Sequence, residues 1–254
     1  MRQHTPVLNQ LVEMSLRLAE PERELVILGE GNTSAQVDEQ SFYVKASGTK
    51  LCESKPETFV QVQIEPLLEL LEGPELDDEQ IKAALSAACI EPGAMSPSTE
   101  TVFHAMLLSH EQIRFVGHTH PVAVNSILCS SEWRELFSQR LFPDEIVVCG
   151  HEYVLVPYTD PGLPLAKAVW RHVADFVERN GGPPRTILIQ NHGLIAAGET
   201  PAMVDNITAM LDKTARIILG ACAVGNLHAL REENVRRITT RPDELYRQKG
   251  LDGT

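Results

Sequence analysis

Two imidazoles stand one residue apart in the stretch IRFVGHTHPVAVNSILC, residues 113–129. In a strand, residues i and i+2 share a face, so His118 and His120 project together with Cα atoms roughly 7 Å apart. Both rings can reach one metal ion if the strand end faces a cleft. An isolated H-x-H pair more often leaves one ring in solvent and the other on a carbonyl, because short motifs match by chance. The segment TILIQNHGLIAA shifts that balance by placing His192 at the tip of a second apolar strand, just before Gly193. Three histidines at strand ends are the ligand count of a catalytic zinc site that keeps one position open. Taken alone, Asn191-His192-Gly193 reads as a hairpin turn, with the glycine supplying the positive φ of a sharp return.

Glu100 is the fourth residue of interest, three positions after Pro97 in SPSTETVFH. A carboxylate beside a metal serves as a further ligand or as general base once substrate displaces it. The plainer account is an acid at a helix N-terminus with Ser98 as its cap, and both can hold together. His104 follows one turn later and is either a supporting group or simply packed. His4, His110, His151, His172 and His228 read as surface or helix positions without chemistry.

Three turns are rich in small residues: GEGNTS (29–34), ASGTK (46–50) and SPST (96–99). Each offers free backbone N–H groups and hydroxyls, the materials of an anion nest, although most such turns merely turn. Together, with SPST beside Glu100, they suggest a pocket that grips a small anion through uncharged donors, Lys50 being the basic residue at hand. Neither a Walker loop nor a dinucleotide fingerprint is present.

The elements that must position these groups follow from pattern. Thr5-Pro6 opens an amphipathic helix through about residue 19. Strands are expected at LVIL (25–28), at the hairpin SAQVD-EQ-SFYVKA, and at TFVQVQI, RFVGH, EIVVCG, YVLVPY, TILIQ and LIAA. Helices are expected at EPLLELLE, DDEQIKAALSAACI, TETVFHAMLLSH, PVAVNSILC, LPLAKAVWRHVADFVERN and the long run from Pro201 to Gly225. No repeat or linker divides the chain, so residues 1–254 are expected to form one three-layer α/β/α domain with a mostly antiparallel or mixed sheet. Residues 226–254 read as a polar arm.

A formal charge of −13 opposes sequence-independent nucleic-acid binding and docking on anionic lipid. Five scattered cysteines, without C-x-x-C spacing, read as small buried hydrophobes in a reducing compartment. Lacking a signal peptide or a membrane-length apolar run, the protein is expected to be cytoplasmic.

The ordered series G-N-x-S, S-G, S-x-E, H-x-H-P and N-H-G-L resembles the class II aldolase/adducin family over roughly residues 5–225. The resemblance implies a nine-stranded antiparallel sheet layered by helices, and commonly a C4 homotetramer with active sites at subunit interfaces. It implies His118, His120 and His192 as ligands of a metal, usually Zn²⁺, with Mn²⁺ or Co²⁺ as alternatives. Glu100 matches the carboxylate that binds metal at rest and then serves as acid/base. Asn32, Ser47, Gly48, Ser98 and Thr99 match the phosphate-binding positions. The expected partner is a small sugar phosphate. The expected reaction is cleavage of a ketose 1-phosphate to dihydroxyacetone phosphate and an aldehyde through a metal-stabilised enediolate. One departure stands out: SQRLFPDEIVV holds no tyrosine where fuculose-phosphate aldolases supply a proton donor. Asp144, Glu145 and Tyr246 are the substitutes the sequence offers. Pentulose-phosphate 4-epimerisation and sugar-phosphate dehydration are neighbouring activities, and family epimerases usually carry Asp at the Glu100 position. An adducin-like assembly module, which lacks the metal histidines, is the non-catalytic alternative.

Overall fold

The computed structural model describes residues 5–251, so His4 lies outside it. Helix α1 (Pro6–Leu18) starts with Pro6 at its first position, where a missing N–H costs nothing. Thr5 contributes its carbonyl, which accepts the Leu8 N–H at 3.0 Å, but no side-chain cap. Strands β1 (Asn32–Asp38), β2 (Ser41–Lys45) and β3 (Phe59–Gln63) follow, then helices α2 (Glu65–Glu72), α3 (Asp78–Ala87) and α4 (Thr101–Leu108). Next come β4 (Phe115–Thr119), α5 (Val122–Leu128), α6 (Trp133–Ser138), α7 (Pro143–Cys149) and β5 (Val154–Val156). The chain continues through α8 (Leu163–Asn180), β6 (Thr186–Ile189), β7 (Gly193–Gly198), α9 (Pro201–Val224), α10 (Glu232–Thr240) and α11 (Pro242–Leu251).

Among the described residues the strands form one seven-stranded sheet in the order β3-β2-β1-β4-β7-β6-β5. Every pairing is antiparallel except β5 with β6. The sheet is thus mixed but mostly antiparallel, and it has seven strands where the resemblance implies nine. Two apolar runs that read as strands are not. LVIL is a loop: Glu24 and Leu28 both take a left-handed φ of 53°, which no strand tolerates. Its carbonyls are spent on the β4–α5 connection, Leu25 accepting the His120 N–H and Glu24 the Val122 N–H. EIVVCG lies in helix α7, where Pro143 takes the first turn and Asp144 and Glu145 meet the positive end of the helix dipole.

Alternation along the strands divides the core into two layers. In β7, Ile195 and Ala197 face one cluster while Leu194 and Ala196 face the other. The first cluster packs α2, α4 and α8 on the sheet; the second packs α1, α5, α6, α7 and α9 on its opposite face. All eight residues of α4 are buried, so it is a core helix, apolar around its circumference except at His104 and Thr101. The polar tail is helical, and Ile238 of α10 is buried against Ile146 and Val147 of α7. Of the five cysteines, all free, only Cys149 is buried; Cys52, Cys129 and Cys222 are exposed at helix ends and turns. No described helix is long and apolar enough to cross a membrane.

Candidate metal centre

Antiparallel pairing brings three strand ends to one edge. β4 ends at Thr119 between the starts of β1 and β7, with His118 opposite Asn32 on one side and Ile195 on the other. His118 points toward the α4 layer, where its ring meets Phe103 edge-on at 5.7 Å. His120 lies just past the strand, and His192 sits in the β6–β7 turn.

The three Nε2 atoms converge. His118 Nε2 is 3.0 Å from His120 Nε2 and 3.2 Å from His192 Nε2. These rings form the one group of side chains among the described residues whose ligand atoms could jointly hold a metal ion. For His118 and His120 the remaining ring nitrogen explains why the inner one is free. His118 Nδ1 donates to the Leu194 carbonyl at 2.9 Å, so its Nε2 carries the lone pair. His120 Nδ1 faces Glu30 Oε2 at 3.2 Å. Burial pushes the His118 and His120 pKa values down to about 4, so both rings are neutral at ordinary pH. Bare nitrogens this close have no hydrogen bond that satisfies them all. A shared cation does, and the donor set fits zinc.

The His192 turn is set by its surroundings. Asn191, not the glycine, takes the positive φ of 54°. Gly193 is required for space: a Cβ there would lie 2.5 Å from the Thr119 carbonyl and 2.7 Å from the His120 ring. Helix α5 anchors the turn, Asn125 Nδ2 donating to the His192 carbonyl at 2.9 Å and Leu128 accepting the Asn191 N–H.

Glu100 stands immediately before α4, not within its first turn, which leaves its side chain free to reach the rings. Its Oε1 is 3.2 Å from His192 Nε2 and its Oε2 is 3.5 Å from His118 Nε2. Burial pushes the Glu100 carboxyl up, but His118, His192 and the Asn32 amide outweigh it and hold the group ionised, below the usual carboxylate range. Ser98 is less a helix cap than a loop brace, its hydroxyl accepting the Glu100 N–H at 3.3 Å.

The anion segments meet beside Glu100. Asn32 Nδ2 donates to Glu100 Oε2 at 2.6 Å and to Ser98 Oγ at 3.2 Å. Ser47 N–H donates to the Ser96 carbonyl and Ser98 N–H to the Lys45 carbonyl, which docks the 46–50 turn on the 96–99 segment. Gly48 takes φ +76° over open space. Asn32 and Ser98 are therefore joined to Glu100 directly, Ser47 and Gly48 lie in the adjoining turn, and Thr99 is exposed without a side-chain bond in this group.

Sequence reasoning passed over three contributors. Lys45, 3% exposed, lies beneath the turns, its Nζ donating to the Thr49 carbonyl at 2.7 Å and the Gly29 carbonyl at 3.4 Å. Burial lowers its pKa and Glu100 raises it. A lysine closing the apolar strand SFYVK was the available signal. Lys50, by contrast, is a surface residue paired with Glu53. Glu30 and Asn125 act through partners far along the chain and left no local signal. Glu145 is committed elsewhere: it is 1% exposed and bound by Arg140, the Leu141 N–H and Tyr153.

Residues 9–219 match the family model described as the class II aldolase and adducin N-terminal domain. A Bacillus subtilis (strain 168) protein named uncharacterized oxidoreductase YuxG is 31% identical over 180 residues, 68% of this chain and 24% of that protein. The chain thus corresponds to about a quarter of that relative. Among solved structures, the N-terminal class II aldolase domain of a conserved Thermoplasma acidophilum protein superposes with a TM-score of 0.66 at 25% identity, over 86% of this chain and 96% of that one. An L-fuculose 1-phosphate aldolase gives a TM-score of 0.69 over 93% and 96% of the two chains; at 20% identity it speaks to the fold.

Proposed function

The chain belongs to the class II aldolase and adducin family, and on that footing we propose that it is a metal-dependent aldolase. It cleaves a ketose 1-phosphate to dihydroxyacetone phosphate and an aldehyde. The observation that carries this reading is the meeting of three imidazole nitrogens with the Glu100 carboxylate at one point. A zinc ion held by His118, His120 and His192, or manganese or cobalt in its place, supplies Lewis-acid stabilisation of the charge left on the three-carbon fragment. The Glu100 carboxylate, within 3.5 Å of two of those nitrogens, is placed to take and return the proton at the donor carbon. Asn32, Ser47, Gly48, Ser98 and Thr99 receive the phosphate, with Lys45 lending positive charge from below. That grip fixes the reacting end in place with binding energy drawn from a remote group.

The departing aldehyde oxygen needs a proton. Tyr158 follows β5 on the same sheet edge, its N–H donating to Gln190 Oε1 two residues before His192 and its hydroxyl to Asp160. It is the phenol we assign to that task. The working form is a homo-oligomer, with a tetramer favoured. Ile27 and Leu28, 65% and 80% exposed, and Val122 at the start of α5, 56% exposed, support this, since the loop that carries the first two accepts the His120 and Val122 N–H groups through the Leu25 and Glu24 carbonyls.

A panel of ketose 1-phosphates assayed for dihydroxyacetone phosphate tests the reading. At least one substrate should be cleaved, chelation should abolish the activity, and Glu100→Gln should lower turnover by roughly 100-fold or more while metal stays bound. Epimerised pentulose phosphate, or loss of water, without any cleavage would replace the aldolase by its neighbours. Absence of both turnover and metal would favour an assembly module.

A further inference from the structure

We propose that His104 is a positioning residue that fixes the direction of the Asn32 side-chain amide, so that only donors face Glu100 and the anion corner. The proposal rests on the anion-binding reading given above and adds a residue to which that reading gives no part.

His104 is fully buried on α4, stacked on Phe103 with ring centroids 4.7 Å apart. Both its nitrogens are spent: Nδ1 faces Ser34 Oγ at 2.6 Å, and Nε2 faces Asn32 Oδ1 in a short contact. It has no lone pair to offer a metal. The ionised Glu100 carboxylate can only accept, so the Asn32 atom 2.6 Å from it is the amide nitrogen. The opposite Asn32 atom is then the carbonyl oxygen, which can only accept, so His104 Nε2 carries the proton. His104 Nδ1 must in turn accept, and Ser34 donates. One arrangement of protons satisfies the whole row Ser34–His104–Asn32–Glu100, with Glu100 holding the amide nitrogen from one side and His104 holding the carbonyl from the other. Burial keeps the ring neutral, pushing its pKa down to about 3, and a neutral ring is what this row requires.

Without the His104 N–H, the buried Asn32 carbonyl loses its partner, and Glu100 alone still opposes the flipped amide. The flipped form would point an oxygen at Ser98 and at Glu100, turning a donor corner into an acceptor corner. An anion meets repulsion there. The same row leads back to β1, where the neighbouring Thr33 hydroxyl is 2.6 Å from Ser15 of α1, so the strand itself is held from its other face.

The test measures inorganic phosphate binding to the zinc-loaded protein by calorimetry. His104→Leu fills the space without a donor and should weaken phosphate by about 10- to 100-fold, with zinc content unchanged. His104→Gln, whose amide nitrogen falls near the Nε2 position, should recover most of the affinity. Wild-type affinity in His104→Leu, or equal weakness in both variants, would overturn the proposal. Should His104→Leu fail to fold, His104→Asn decides: its shorter amide falls near the Nδ1 position and leaves the Asn32 carbonyl without a donor, and phosphate affinity equal to wild type would overturn the proposal. A second readout needs no anion. The Asn32 side-chain NH₂ signals, identified by their loss in Asn32→Asp, should exchange slowly in wild type and fast in His104→Leu or His104→Asn. Slow exchange in every variant overturns the role of His104. A wild type that ignores phosphate while showing this exchange pattern would sink the anion-binding reading alone.

Discussion

His118 Nε2 stands 3.0 and 3.2 Å from the Nε2 atoms of His120 and His192, and the outer nitrogens of His118 and His120 are held by a carbonyl and a carboxylate, so the three rings are arranged for something they share. Their closeness depends on the one residue that lacks a side chain. Gly193→Ala would drive a methyl into the Thr119 carbonyl and the His120 ring, so the turn must move and the triad must open. Zinc affinity, measured by competition with a chromophoric chelator, should fall by about 10- to 100-fold while the circular dichroism spectrum holds. Unchanged affinity would show that the turn relaxes freely and that the tight fit has no bearing on the metal. At this scale the sequence was legible where chemistry follows from spacing along one strand, as with His118 and His120. Glu30 and Asn125 were illegible because their meaning lies in partners from distant segments, whereas Lys45 left one mark, a lysine closing an apolar strand. The role of Gly193 was misread for a related reason: a turn glycine suggests torsion, whereas the constraint here is steric and comes from the ligand rings themselves.

Elements converge because antiparallel pairing sets the end of β4 between the beginnings of β1 and β7, and α4 delivers Glu100 from above. That convergence was foreshadowed by apolar runs ending in histidine. The two lapses came from short apolar runs, for which burial alone does not separate strand from helix. In α7 the deciding information was Pro143 followed by two acids; at LVIL it was left-handed backbone at Leu28 and at Glu24 just before the run, with no sequence mark. Helix α7 also carries its own polar lock. The Arg140 guanidinium lies 3.4 Å over the Tyr153 ring and pairs with Glu145 at 2.8 Å, both charges being buried. Breaking a buried pair strands the other charge, so Glu145→Gln should lower unfolding free energy by about 3–5 kcal/mol in urea titrations. Turnover per folded molecule should stay at the wild-type value. A selective loss of turnover without loss of stability would return Glu145 to the reaction.

The whole molecule answers to pH through its buried imidazoles. Burial takes His104 down to about 3 and His118 and His120 to about 4, from an ordinary value of 6.5. As pH falls below about 6.5 the unfolded chain gains protons that the folded chain refuses, so the linkage favours unfolding. In the metal-stripped protein, Tm should decline steadily between pH 6.5 and about 4; a flat profile would contradict the neutral, buried state of these rings. Net charge of −13 adds a second whole-molecule constraint, since any anionic ligand would approach against the overall field and would have to be held by local donors. Metal content bears most directly on the central claim. Plasma mass spectrometry of the purified protein, reconstituted with zinc and freed of excess ion, should find one divalent ion per chain, and none in His118→Ala. A wild-type protein that takes up no ion, or a variant that keeps it, would contradict the shared centre on which the catalytic reading stands.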